Sequence, residues 1–113
     1  MGIFSRIPSI DARDAAQRLA AKEVVLLDVR EHAEWQAGHI HGALHLPLAQ
    51  LRRDLQRVPT GRTVVTVCAS GSRSRSAARA LASAGYDALN LSGGMSAWLR
   101  AGLPLDGKPA GRR

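Results

Sequence analysis

Cys68 is the sole cysteine of the chain. It closes an apolar run, Thr63-Val64-Val65-Thr66-Val67, and opens the segment Cys68-Ala69-Ser70-Gly71-Ser72-Arg73-Ser74. Ala77, Ala78, Leu81 and Ala82 then follow at helical spacing. A thiol at the end of a strand, a loop of small residues and a helix start bring several backbone N–H groups together. Negative charge is favoured in such a place, which suits a nucleophilic thiolate and the anion it attacks or carries. An ordinary cysteine titrates near ~8.5 and is about 3% thiolate at neutral pH; a fall to ~6.5 makes about three quarters of it thiolate. Intrinsic nucleophilicity drops roughly 8-fold over the same change, so the net activation is only a few-fold. The loop is therefore expected to act mainly by aligning an anionic partner and by stabilising charge on sulfur. The competing reading of Cys68 is a buried, inert thiol.

Other residues capable of chemistry are fewer. Arg73 lies where a helix starts, a position that disfavours a cation, so an anion is expected beside it; otherwise it is a solvated arginine. Asp28 and Arg30 are expected to form a structural ion pair near the end of the sheet. The i, i+2 spacing of His39 and His41, with His45 beyond and no second cysteine, does not make a structural zinc site, and no metal or cofactor is expected. His39 reads as a structural histidine. A Cys–His hydrolase requires a histidine beside Cys68, and nothing favours His32 or His39 for that place. Trp35 and Trp98 read as core or pocket-wall aromatics.

The elements that position these residues alternate. Ile7 to Ile10 reads as a short first strand. Asp11 caps a helix running to about Ala21, with Ala15, Ala16 and Leu19 inward. Val24 to Val29 is almost wholly apolar, as in a strand buried on both faces of a parallel sheet. Glu31 to Gln36 forms a short helix ending before Gly38, and Ala43 to Leu46 a short strand. Pro47 opens a helix across Leu48, Leu51, Leu55 and Val58, whose spacings are helical. Pro59-Thr60-Gly61 turns into the strand Thr63 to Val67. Ser74 to Ala84 is helical and is stopped by Gly85, with Arg75 and Arg79 on its outer face. Ala88 to Leu91 is a strand; Ser92-Gly93-Gly94 is a tight turn into a last helix, Met95 to Ala101. This alternation predicts one α/β domain, a mostly parallel central sheet with helices on both faces, and places the Cys68 loop at a strand's carboxyl end. The expected organisation is an arm over residues 1–6, a domain over 7–105 and a flexible basic tail over 106–113.

A chain of 113 residues, 45% hydrophobic and 22% charged, is long enough for one self-sufficient core. A single cysteine excludes an intramolecular disulfide and fits a reducing, cytoplasmic setting. Met1-Gly2-Ile3-Phe4-Ser5-Arg6 lacks the apolar h-region of a secretory signal, and no stretch reaches membrane-spanning length. The net charge of +7 comes from 16 Lys+Arg against 9 Asp+Glu. No aromatic residues interleave with a basic stripe, so the charge is read as a field that draws in small anions and not as a nucleic-acid footprint.

Three segments resemble the rhodanese-like domain family. Leu27-Asp28-Val29-Arg30-Glu31, with Glu34-Trp35 and Gly38-His39-Ile40-His41-Gly42-Ala43, is similar to its first signature. Cys68 to Ser74 is similar to its active-site loop, and Leu91-Ser92-Gly93-Gly94-Met95 with Ala97-Trp98 to its C-terminal signature. They stand in the family's order and cover residues 7–105. The resemblance implies a single-domain sulfurtransferase in which sulfane sulfur passes from a small anionic donor such as thiosulfate to cyanide or to a small or protein thiol, through a persulfide on Cys68. The loop Cys68, Ala69, Ser70, Gly71, Ser72, Arg73 and Ser74 would hold it, with Asp28, Arg30 and His39 structural nearby. The expected partners include no nucleic acid and no membrane, and the expected state is a monomer or weak homodimer. The other reading is a docking or sulfur-relay module with little activity on free thiosulfate. Two departures stand out: His41 replaces a frequent proline, and Arg73 is the loop's one cation, where thiosulfate-type loops of two-domain members carry two and mercaptopyruvate-type loops none. Cysteine-dependent phosphatases of related fold carry a longer loop; here four residues separate Cys68 from Arg73, and Ser74 stands where a phosphatase requires arginine.

Overall fold

The computed structural model describes residues 6–106. The two longest apolar runs become its central strands, β2 (Val24–Asp28) and β5 (Thr63–Val67), paired in parallel from Val24 opposite Thr63 to Asp28 opposite Val67. On the other side of β5 lies β6 (Ala88–Leu91), then β1 (Ser9–Ile10); β4 (Leu44–His45) closes the far side of β2. The order is β1-β6-β5-β2-β4 and every pairing in this sheet is parallel.

Alternate residues of the central strands go to opposite faces. Val25, Leu27, Val29 and Val64 pack with Leu51, Ala77, Ala78 and Leu81, under α3 (Leu48–Leu51) and α4 (Ser72–Ser83). Val24, Leu26, Val65 and Val67 pack with Ala12, Ala15, Met95 and Trp98, under α1 (Ala12–Ala20) and α5 (Gly94–Arg100). A strand covered on both faces has no polar side to show, which is why 24–27 and 64–67 are apolar apart from Thr66 and show no alternation of period two. Asp11 caps α1 by accepting from the Asp14 N–H at 2.8 Å. In α2 (His32–Ala37), Glu31 is the cap and Glu34 returns a hydrogen bond to its N–H, a capping box.

Several boundaries differ from the sequence reading. The first strand is confined to Ser9–Ile10, and β4 to two residues. The helix expected from Pro47 through Val58 breaks after Leu51 and resumes as a single 3₁₀ turn, Leu55–Arg57. Pro59 forces Val58 into an extended conformation, and Tyr86 Oη donates to the Val58 carbonyl at 2.7 Å, so the apolar spacing is met by turns instead of one helix. The α4 helix starts at Ser72, two residues earlier than expected, because Gly71 adopts φ 121° and redirects the loop. Missed altogether was the antiparallel pair β3 (His39–Ile40) and β7 (Leu105–Asp106). Asp106, expected in the tail, is thus paired with His39; the rest of the expected basic tail, and the expected arm except Arg6, lie outside the described residues. Among the described residues no helix is long and apolar enough to cross a membrane.

Candidate active site

The carboxyl ends of β2, β5 and β6 converge on Cys68. The thiol follows β5 directly, and Ala69 and Ser70 turn the chain before Gly71 caps α4. Cys68 is only 1% exposed, yet polar groups surround its sulfur. The N–H of Gly71 donates to Sγ at 3.2 Å, the N–H of Ser74 at 3.3 Å, and Ser74 Oγ lies at 3.3 Å. Burial pushes the thiol up. The hydrogen bonds from the side chain and N–H of Ser74 and from the N–H groups of Gly71 and Ser70 outweigh it, so Cys68 titrates below an ordinary cysteine. Of the other loop residues, Ser70 and Ser72 face solvent.

The loop's carbonyls point the opposite way. Cys68 O accepts from Met95 N–H at 2.8 Å and Ala69 O from Ser96 N–H at 3.2 Å, so the first turn of α5 holds the loop from behind. That contact requires Gly93 at φ 74° and Gly94 at φ 56°, the glycine pair read from the sequence as a tight turn.

Three residues given no role by sequence reasoning, Asn90, Thr66 and Glu34, complete the arrangement. Asn90, on β6 and 1% exposed, accepts from Ser74 Oγ at 2.5 Å and donates through Nδ2 to Gly71 O at 3.3 Å. Its one available signal was a polar residue inside the apolar strand Ala88-Leu89-Asn90-Leu91. Thr66 Oγ1 donates to Ser74 O at 2.8 Å, fixing the same helical turn to β5. Glu34 is the third. Its carboxylate accepts from Arg73 Nη1 at 2.7 Å and Nη2 at 3.0 Å. The anion that the position of Arg73 calls for is therefore a side chain of this protein.

The hydrogen bonds from Arg73 hold Glu34 down to about 2, against a smaller upward push from burial. Arg73 is raised in turn by Glu34 and stays charged. Because the folded carboxyl is depressed, its contribution to stability is complete above the ordinary carboxylate range and disappears as pH falls through about 2. Both partners are about a third exposed, so the contribution is small, under about 1 kcal/mol. Glu34→Gln should lower the urea midpoint slightly at pH 7, and the two proteins' midpoints should converge as pH is taken toward 2.

Asp28 and Arg30 form a buried bidentate pair at the end of β2, with Nε to Oδ1 at 3.0 Å and Nη2 to Oδ2 at 2.8 Å; Nη2 also donates to Gly38 O at 2.8 Å. The pair joins the strand end to the turn after α2. His39 Nδ1–H donates to Trp35 O at 2.8 Å, and its ring stacks on Trp35 with centroids 3.6 Å apart. Trp98 is buried and donates to Pro104 O at 3.0 Å. Among the described residues no group of three His, Cys, Asp or Glu side chains is placed to hold a metal ion.

The chain is thus a small parallel α/β domain whose cysteine, ringed by amides, stands at the carboxyl end of a central strand, where ligands sit in such sheets. The sequence matches the rhodanese-like domain over residues 11–101, and the chain belongs to the rhodanese-like sulfurtransferase family. It is 42% identical to a sulfurtransferase of Allochromatium vinosum over 101 residues, 88% of this chain and 94% of that protein. The structure is similar to the rhodanese-related protein of Thermoplasma volcanium, with a TM-score of 0.83 and 29% identity over 89% of this chain and 99% of that one. It is also similar to the thiosulfate sulfurtransferase of Pseudomonas aeruginosa, with a TM-score of 0.81 and 32% identity, covering 93% of this chain and 20% of that chain.

Proposed function

We propose that the protein transfers sulfane sulfur from a small anionic donor of the thiosulfate type to a thiophilic acceptor, through a persulfide on Cys68. The Cys68 thiolate attacks the outer sulfur of thiosulfate. A new S–S bond forms, the S–S bond of the donor breaks, and sulfite leaves with the electron pair. Cyanide or a thiolate then attacks the outer sulfur of the persulfide, and the electron pair of that S–S bond returns to Cys68 as thiolate. No external oxidant or reductant enters the cycle. No general base is required, because sulfite departs as a stable anion.

The observation that carries this reading is the convergence of the Gly71 and Ser74 N–H groups on a sulfur that titrates below an ordinary cysteine. The same amides suit the charged persulfide. Arg73 is held by Glu34, so the donor's charge is met mainly by backbone N–H groups and by the positive field of the chain. With no second cysteine, discharge falls to an external nucleophile. The test is intact mass spectrometry after incubation with thiosulfate: the protein should gain one sulfur atom, which cyanide or a small thiol then removes. A protein that takes up no sulfur from thiosulfate or from any other sulfane donor would overturn the proposal.

A further inference from the structure

Ser74 Oγ carries one hydrogen and has three acceptors within reach: Asn90 Oδ1 at 2.5 Å, Gly71 O at 3.2 Å and Cys68 Sγ at 3.3 Å. The orientation of the Asn90 amide is set by Gly71 O, which can only accept and therefore takes Nδ2, leaving Oδ1 toward Ser74. By distance, the hydroxyl hydrogen belongs to Asn90 while Cys68 is a thiol. A thiolate is a far better acceptor than a thiol, and a charge-assisted bond competes with the neutral one to Asn90. Once the sulfur carries a second sulfur, Sγ is again a weak, uncharged acceptor.

We propose that Asn90 is a positioning residue for sulfur transfer: it competes with Cys68 for the hydrogen of the Ser74 hydroxyl, giving it up when the sulfur is charged and taking it back when the sulfur is loaded. All three side chains are buried, at 1% exposure or less, so water does not compete for that hydrogen. This rests on reading Cys68 as the sulfur carrier. The charged groups around the sulfur do not supply the same exchange. Arg73 and Glu34 remain ionised as a pair, with Glu31 at the start of α2; Asp28 and Arg30 neutralise each other at the end of β2; β6 presents Asn90, and α5 presents backbone N–H groups.

The test is the pH midpoint of Cys68 alkylation in a double-mutant cycle. Ser74→Ala removes a donor to the thiolate and should raise the midpoint by about one pH unit. Asn90→Leu removes the competing acceptor and should lower it by about half a unit. In the Ser74→Ala background, Asn90→Leu should leave it unchanged, because Asn90 acts through that hydroxyl. A residue that merely props up the loop moves the midpoint equally in both backgrounds, and that result, or an upward shift or no shift in Asn90→Leu alone, overturns the proposal. If the Asn90 variant does not fold, NMR of the wild-type protein decides: the Asn90 side-chain amide signals should titrate with Cys68, and should cease to follow it in Ser74→Ala. Signals that stay fixed in the wild type, or that follow Cys68 equally in Ser74→Ala, count against it. No sulfur donor is present in these measurements, so their failure is distinct from a failure to form the persulfide.

Discussion

Cys68→Ser should lower the rate of sulfite release from thiosulfate by at least ~10³-fold while the domain stays folded. A serine hydroxyl at this position remains neutral at any working pH, and the Gly71 and Ser74 N–H groups then face a neutral oxygen where they would otherwise stabilise an anion. Oxygen is also a poor nucleophile toward sulfane sulfur. The fold should tolerate the change, because the buried hydroxyl meets ready hydrogen-bond partners and the core loses little apolar contact; a stability change within about 1 kcal/mol is expected. Sulfite release, intact mass and a denaturant melt on the same preparation separate chemistry from folding. A variant that keeps more than ~10% of the wild-type rate would move the reaction off this sulfur altogether.

Gly94→Ala should be the most damaging single methyl in the domain. The added Cβ would lie against the backbone oxygen of Cys68 and within 2.7 Å of Ala69 O and 2.8 Å of Ala69 C, and backbone atoms cannot swing aside as a side-chain tip can. Gly94 also holds φ 56°. Conformational strain and collision together should cost about 3 kcal/mol or more. The damage should concentrate where the loop is held, on the bonds from Met95 N–H to Cys68 O and Ser96 N–H to Ala69 O. Gly42→Ala is the control: φ is 85°, but nothing lies within 4 Å of the new methyl, so only the backbone penalty of about 1–2 kcal/mol applies. Thermal melts of the two variants, with persulfide loading measured well below the transition, should show a larger loss for Gly94→Ala in both. Equal losses would mean that the close packing of α5 on the loop is unimportant.

These two positions also mark how far the sequence could be read. Val24–Asp28 and Thr63–Val67 were legible as central strands because burial on both faces leaves an apolar run that few other elements produce. The segment from Cys68 to Gly71 was legible as a turn between strand and helix, because an apolar run followed by small residues, a glycine and a helical pattern has few alternative geometries. The Gly93-Gly94 pair was read as a turn, but its closeness to Ala69 was hidden, since backbone packing between segments far apart leaves no trace in local pattern. The β3–β7 pair was hidden for the same reason: two-residue strands carry no period, and His39 meets Asp106 across about two thirds of the described chain. Asn90 and Glu34 illustrate the limit for side chains. Each lies on an element that was placed approximately, and each gains its meaning from a partner on α4, Ser74 in one case and Arg73 in the other. Helical spacing misled at Leu48, Leu51, Leu55 and Val58, where a broken helix buries the same face as a continuous one.

The bonds from Met95 and Ser96 to the two carbonyls beyond β5 make distant stretches of chain one mechanical part. Lengthening the link between β6 and α5 by a single residue should rotate those donors off their acceptors without changing any residue that donates a hydrogen bond to the thiol. The proposed chemistry would then be retuned or silenced from more than twenty positions downstream, with every residue of the loop itself untouched.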